Sequence, residues 1–88
     1  MGMLNEIILL YNQSKVIMTK NVIGSKIRQI RKRKNITQEM MIARLQSNGF
    51  DMSRSTYSKV ELEIRQVRDI EIIQFAKALD IDVSELFK

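Results

Sequence analysis

The stretch Met52 to Glu61, MSRSTYSKVE, sets Ser53, Ser55, Thr56 and Ser58 beside Arg54 and Lys59. Short hydroxyls donate or accept at a fixed reach, and Arg and Lys donate several hydrogen bonds. The apolar residues between them are Met52, Tyr57 and Val60. A helix built this way turns Tyr57 and Val60 to a core and offers donors on its other face. Two readings fit the composition: a face that enters a polar groove, or an amphipathic surface helix whose polar side meets water. Covalent chemistry has little to work with. There is no Cys, which excludes disulfides, thiolate catalysis and thiolate-bound zinc. There is no His, the commonest general base and metal ligand. With no phosphate loop and no clustered carboxylates, an enzyme is the least expected class. Neither a metal nor a cofactor is expected.

The chain of 88 residues is long enough for one core and too short for two. Its hydrophobic fraction of 44% is ordinary for a folded domain. The longest apolar run, Ile7 to Tyr11, falls far short of the roughly 20 residues that span a bilayer. A soluble, cytoplasmic protein without membrane contact is therefore expected. The net charge of +5 is unevenly placed. From Lys20 to Arg68 there are twelve Lys and Arg against four Asp and Glu, whereas Asp69 to Lys88 is acidic. A basic part joined to an acidic part suits a polyanion-binding face with a neutral or acidic back. A solvated, lysine-rich surface fits the same numbers.

Proline is absent and glycine is confined to Gly2, Gly24 and Gly49, so an all-α domain with short connections is expected. In residues 23–34, Ile23, Ile27 and Ile30 share one helical face and the cations take the other. Asn35 is a stop. Thr37 is an N-cap for a second helix with Met41 and Leu45 inward. Ser47-Asn48-Gly49 is its exit, with Gly49 in the left-handed conformation. Ser53 caps the helix of the opening stretch. Asp69 is read as the cap of a fourth helix reaching Leu79, with an inward stripe of Ile70, Ile73, Ala76 and Leu79 widened by Ile72 and Phe75. Asp82 to Glu85 has the capping-box form and begins a short fifth helix with Leu86 and Phe87 inward.

Two successive helices, the second carrying donors outward, read as a helix-turn-helix whose second helix enters a DNA major groove. The run ITQE…ARL…SRSTYSKVE…R…DIEIIQFAKALDIDVSELF resembles the phage-repressor (Cro/repressor, XRE) type of helix-turn-helix domain, over about Ile23 to Phe87. The resemblance implies a compact five-helix domain. It also implies that Arg54, Ser55 and Lys59 read base edges, with Thr56 and Ser58 at a base or the backbone. Gln38 would bond a phosphate and brace the recognition helix, Thr37 and Arg65 are further backbone candidates, and Arg28, Lys34 and Arg68 are weaker ones. Arg31 and Glu61 match a pair that bridges the first helix to the end of the third.

The chain departs from the family pattern in places. Seven residues, QSNGFDM, separate Leu45 from Ser53 where two are common, so the second helix is longer or the turn wider. Ile42 stands where a small alanine is usual, Glu63 where glycine is usual and Val67 where proline is usual. The last two suggest a partly helical loop after the third helix and a redirected Arg65. The expected organisation is an N-terminal extension or arm over 1–20 and a DNA-binding domain over 21–88. Double-stranded DNA is the expected partner, with a homodimer formed through the domain or the arm. The expected function is sequence-specific transcriptional regulation, most simply repression at a palindromic operator. A restriction–modification controller shares this fold. An antitoxin that holds a small protein partner and autoregulates is the alternative of a different class.

Overall fold

The computed structural model describes residues 19–88, and the expected dimerising arm, but for its last two residues, lies outside them. The described residues form four α-helices and a closing 3-10 segment, with no strand among them. They are α1 (Gly24–Arg33), α2 (Gln38–Ser47), α3 (Arg54–Glu61), α4 (Asp69–Leu79) and the 3-10 segment Val83–Phe87. The fold is all-α as expected, but the fifth element is a 3-10 turn. Asp82 makes no side-chain cap bond there, so the expected capping box is not formed.

The core draws on every element. Ile23 and α1 residues Ile27 and Ile30 meet Met41 and Leu45 of α2, Tyr57 and Val60 of α3, Phe75, Ala76, Ala78 and Leu79 of α4, and Leu86. The Tyr57 and Phe75 rings meet edge to face at 6.0 Å. Ile42 lies half-buried against this cluster. The inward stripe expected on α4 is corrected: Ile70 and Ile73 are 52% and 49% exposed. A helix turns about 100° per residue, so a 3-3-3 pattern drifts by roughly half a turn between Ile70 and Leu79. The face that stays inward runs through Glu71, Phe75, Ala78 and Leu79. Phe87 is also exposed, and Leu86 alone seats the 3-10 segment in the core.

All four helices end the same way. One or two positions past the end of each helix a residue adopts positive φ, at Asn35 (60°), Gly49 (81°), Glu63 (62°) and Asp80 (58°). The next N–H reaches back to a carbonyl five residues earlier: Ile36 to Arg31, Phe50 to Leu45, Ile64 to Lys59 and Ile81 to Ala76. These are Schellman terminations. Glu63 thus takes the conformation of the usual glycine, and the following loop is not helical, contrary to expectation. A carboxylate does what glycine cannot. Glu63 Oε2 accepts from Ser25 N–H (3.0 Å) and Ser25 Oγ (2.6 Å), covering an α1 N-terminus whose own cap residue, Ile23, has no acceptor. Gly24 allows this closeness, since a Cβ there would lie 2.0 Å from the Val60 carbonyl oxygen.

The long linker between α2 and α3 widens the turn, and it is anchored. Met52 is buried and Phe50 half-buried against the core. Thr37 Oγ1 caps α2 by accepting from Met40 N–H at 3.0 Å, and Ser53 Oγ caps α3 by accepting from Thr56 N–H at 3.2 Å.

Candidate nucleic-acid interface

The polar face of α3 stands on a buried ionic base. Tyr57, Val60 and Glu61 point inward, while Arg54, Ser55 and Lys59 are exposed and Ser58 is half-buried. Spacing of one and four residues puts 54, 55, 58 and 59 on one side of the helix.

Beneath them, Arg31 and Glu61 form a two-pronged pair. Nε to Oε2 is 2.6 Å and Nη2 to Oε1 is 3.1 Å. The remaining Arg31 nitrogen, Nη1, donates to the Ile36 carbonyl at 2.7 Å. The Tyr57 hydroxyl also donates to Glu61. Both charged side chains are nearly out of water, at 8% and 2% exposure. Burial pushes the Glu61 carboxyl up, but hydrogen bonds from Arg31, Tyr57 and Gln38 outweigh it and hold the group below the usual carboxylate range. The bond to Glu61 raises the Arg31 guanidinium, and burial followed by the Glu61 contact pushes the Tyr57 hydroxyl far up. Arg31 and Glu61 therefore stay charged, and Tyr57 stays a donor.

Gln38, the first residue of α2, links this base to the outer face. Its amide nitrogen donates to Glu61 Oε1 at 3.1 Å. Its amide oxygen accepts from Ser58 Oγ at 3.1 Å and Arg54 Nε at 3.3 Å. Arg54 Nη1 also lies 3.8 Å from the exposed Glu39 carboxylate, yet Arg54 remains 60% exposed. The structure thus brings Gln38, Arg54, Ser58, Arg31 and Glu61 into one connected group. Ser55 and Lys59 share its outer face, and half-buried Thr56 takes a hydrogen bond from Ser53 Oγ at 2.9 Å. Thr37 is committed to capping α2, and Arg28 is exposed on α1.

Two of the expected backbone contacts have other partners. Lys34 Nζ donates to the Leu79 carbonyl at 2.7 Å and reaches that of Asp80 at 3.4 Å. Arg44 Nη1 donates to the Ala78 carbonyl at 2.9 Å. Both cations close the negative C-terminal end of α4. Arg65 is redirected, as the departures at Glu63 and Val67 suggested, and forks onto the Glu71 carboxylate at 3.0 and 3.1 Å. Glu71 also accepts from Arg68 N–H at 2.9 Å and lies 3.6 Å from the Arg68 guanidinium. Burial pushes the Glu71 carboxyl up, and the Arg65 and Arg68 bonds pull it below its ordinary value. Sequence reading missed this buried carboxylate. The available signal is an acid three residues after a cap, obscured because Asp69 reads as the cap while Arg68 occupies that position.

Among the described residues, no cluster of three or more potential metal ligands occurs, and no helix is long and apolar enough to cross a membrane. No curated protein and no solved structure gives a significant match to the chain. A helix-turn-helix family model matches residues 27–86, spanning α1 to the 3-10 segment. The chain therefore belongs to the helix-turn-helix family of the XRE (Cro/repressor) type, a family of DNA-binding transcription regulators.

Proposed function

We propose that the chain is a sequence-specific repressor that binds a palindromic operator as a homodimer, with α3 in the major groove. The observation that carries this reading is the outer face of α3. Arg54, Ser55 and Lys59 stand in solvent, while Glu61 and Gln38 fix the helix from beneath. Arg and Lys pair with guanine O6 and N7, and hydroxyls serve bases or phosphates. A helix of eight residues spans only a few base pairs, so a second copy one duplex turn away, about 34 Å, supplies the rest of the site. Backbone affinity falls to exposed cations outside that face, Arg28 among them, and makes binding salt-dependent. Arg65 and Lys34 belong to this set only if they leave their internal partners. A protein acting this way works in the cytoplasm.

Selection from a random duplex pool at about physiological salt tests this, with the size of the complex measured alongside. A two-fold symmetric motif and a complex of two chains per duplex are expected. No enriched motif would sink the proposal and turn attention to a protein partner, the antitoxin reading. Arg54→Ala is expected to relax one position per half-site by about 1–3 kcal/mol. A uniform loss on every sequence would instead make Arg54 a phosphate contact.

A further inference from the structure

The hydrogen bonds running from Glu61 to Ser58 have forced directions. Glu61 is an ionised carboxylate paired with Arg31, so it only accepts. The Gln38 atom 3.1 Å from it must therefore be the amide nitrogen. That turns the amide oxygen toward α3. An amide oxygen also only accepts, so Ser58, 3.1 Å away, gives up its single hydroxyl proton to it. Arg54 donates to the same oxygen through Nε. Ser58 Oγ is left with lone pairs and no proton to offer. Thr56 contrasts with it: Ser53 donates to Thr56 Oγ1, which leaves the Thr56 proton uncommitted in that bond.

An oxygen without a proton has nothing to give a phosphate oxygen, guanine O6 or N7, or thymine O4, since all of these accept. The major-groove groups that can donate to it are the amines adenine N6 and cytosine N4. We infer that Ser58 is an acceptor-only base reader that selects an amino-bearing base, adenine or cytosine, on one strand of each half-site. Gln38 is its positioning residue, and Glu61 sets the polarity through it. The inference rests on the DNA-binding reading above. Of the two contacts that the family resemblance implies for Ser58, a base or the backbone, it selects the base and gives the bond its direction.

The test starts from the duplex that the wild-type chain selects. Repeating the selection with Ser58→Ala marks the pair that Ser58 faces, as the pair whose preference disappears. The amino group of that pair is then removed alone, with deoxynebularine in place of adenine or 2-pyrimidinone in place of cytosine. Wild-type affinity should fall about fivefold, the worth of one hydrogen bond, and Ser58→Ala should be indifferent to the change. Gln38→Ala returns the proton to Ser58, so the inverted base pair should become tolerated at that position. A merely structural role for Gln38 would weaken all sequences together and leave the preference intact. Uniform loss on Ser58→Ala, or wild-type binding unmoved by amine removal, overturns the inference while the DNA-binding reading stands. A wild-type selection with no motif overturns both.

Discussion

Glu61 and Glu71 are both buried carboxylates clasped by arginine, yet they hold different things. Glu61 gathers Arg31 from α1, Gln38 from α2 and Tyr57 from its own helix, so three helices meet on one side chain. Glu71 gathers Arg65 and Arg68 from the loop just before its own helix. The partners differ in exposure. Arg31 is 8% exposed, Arg65 31% and Arg68 72%. When the acid is lost, exposed arginines return to water and a buried one does not. The same chemical pair therefore joins α3 to two other helices in one place and ties down a loop in the other.

Truncating each acid should separate the two. Glu61→Ala leaves Arg31 buried without its counter-charge and should cost about 3–5 kcal/mol in a denaturant titration. Glu71→Ala frees arginines that can rehydrate, and its cost should be nearer 1–3 kcal/mol, from lost charged hydrogen bonds. Equal costs would mean that exposure of the partner does not govern the outcome.

Acid should sharpen the comparison. Both carboxyls lie below their ordinary value of 4.5 in the folded chain. A depressed folded pKa gives stability that is complete above the unfolded pKa and is lost as pH falls through the folded one. Melting temperature should thus be level at neutral pH and decline below about pH 4.5. Glu71→Gln should remove part of that decline and keep the part due to Glu61. A variant with an unchanged acid limb would show that Glu71 contributes no linkage.

The smallest effect concerns a cation that belongs to neither cluster. Lys34→Ala removes a cap from the end of α4 and should cost about 0.3–1 kcal/mol. The salt dependence of DNA binding should hardly change. A drop in its slope by about one would show that Lys34 leaves Leu79 for a phosphate.

What the sequence made legible follows the range of the interaction. Thr37, Ser53, Asn35 and Gly49 act on backbone groups within a few residues, and each can be read from its neighbours alone. The Arg31–Glu61 pair spans thirty residues and was visible only through the family resemblance. Glu71 escaped because its partners sit in a loop without periodicity, and because four isoleucines and leucines around it suggested a different inward face. The basic charge was legible, but not its division. Arg31, Lys34, Arg44 and Arg65 bond within the protein, so net charge overstates the supply for DNA. No local rule distinguishes a lysine that will cap a helix forty-five residues away from one that will face solvent.

The repeated Schellman exits bear on how much of its own register each helix specifies. Each is closed by contacts no more than five residues apart, so the end of a helix is defined without reference to a partner helix. Helices of eight to eleven residues are marginal alone, so their stability comes from docking. Fixed ends and short loops then leave that docking few wrong arrangements. The turn at Phe50 and Met52 differs in kind, since its side chains are seated against the shared core.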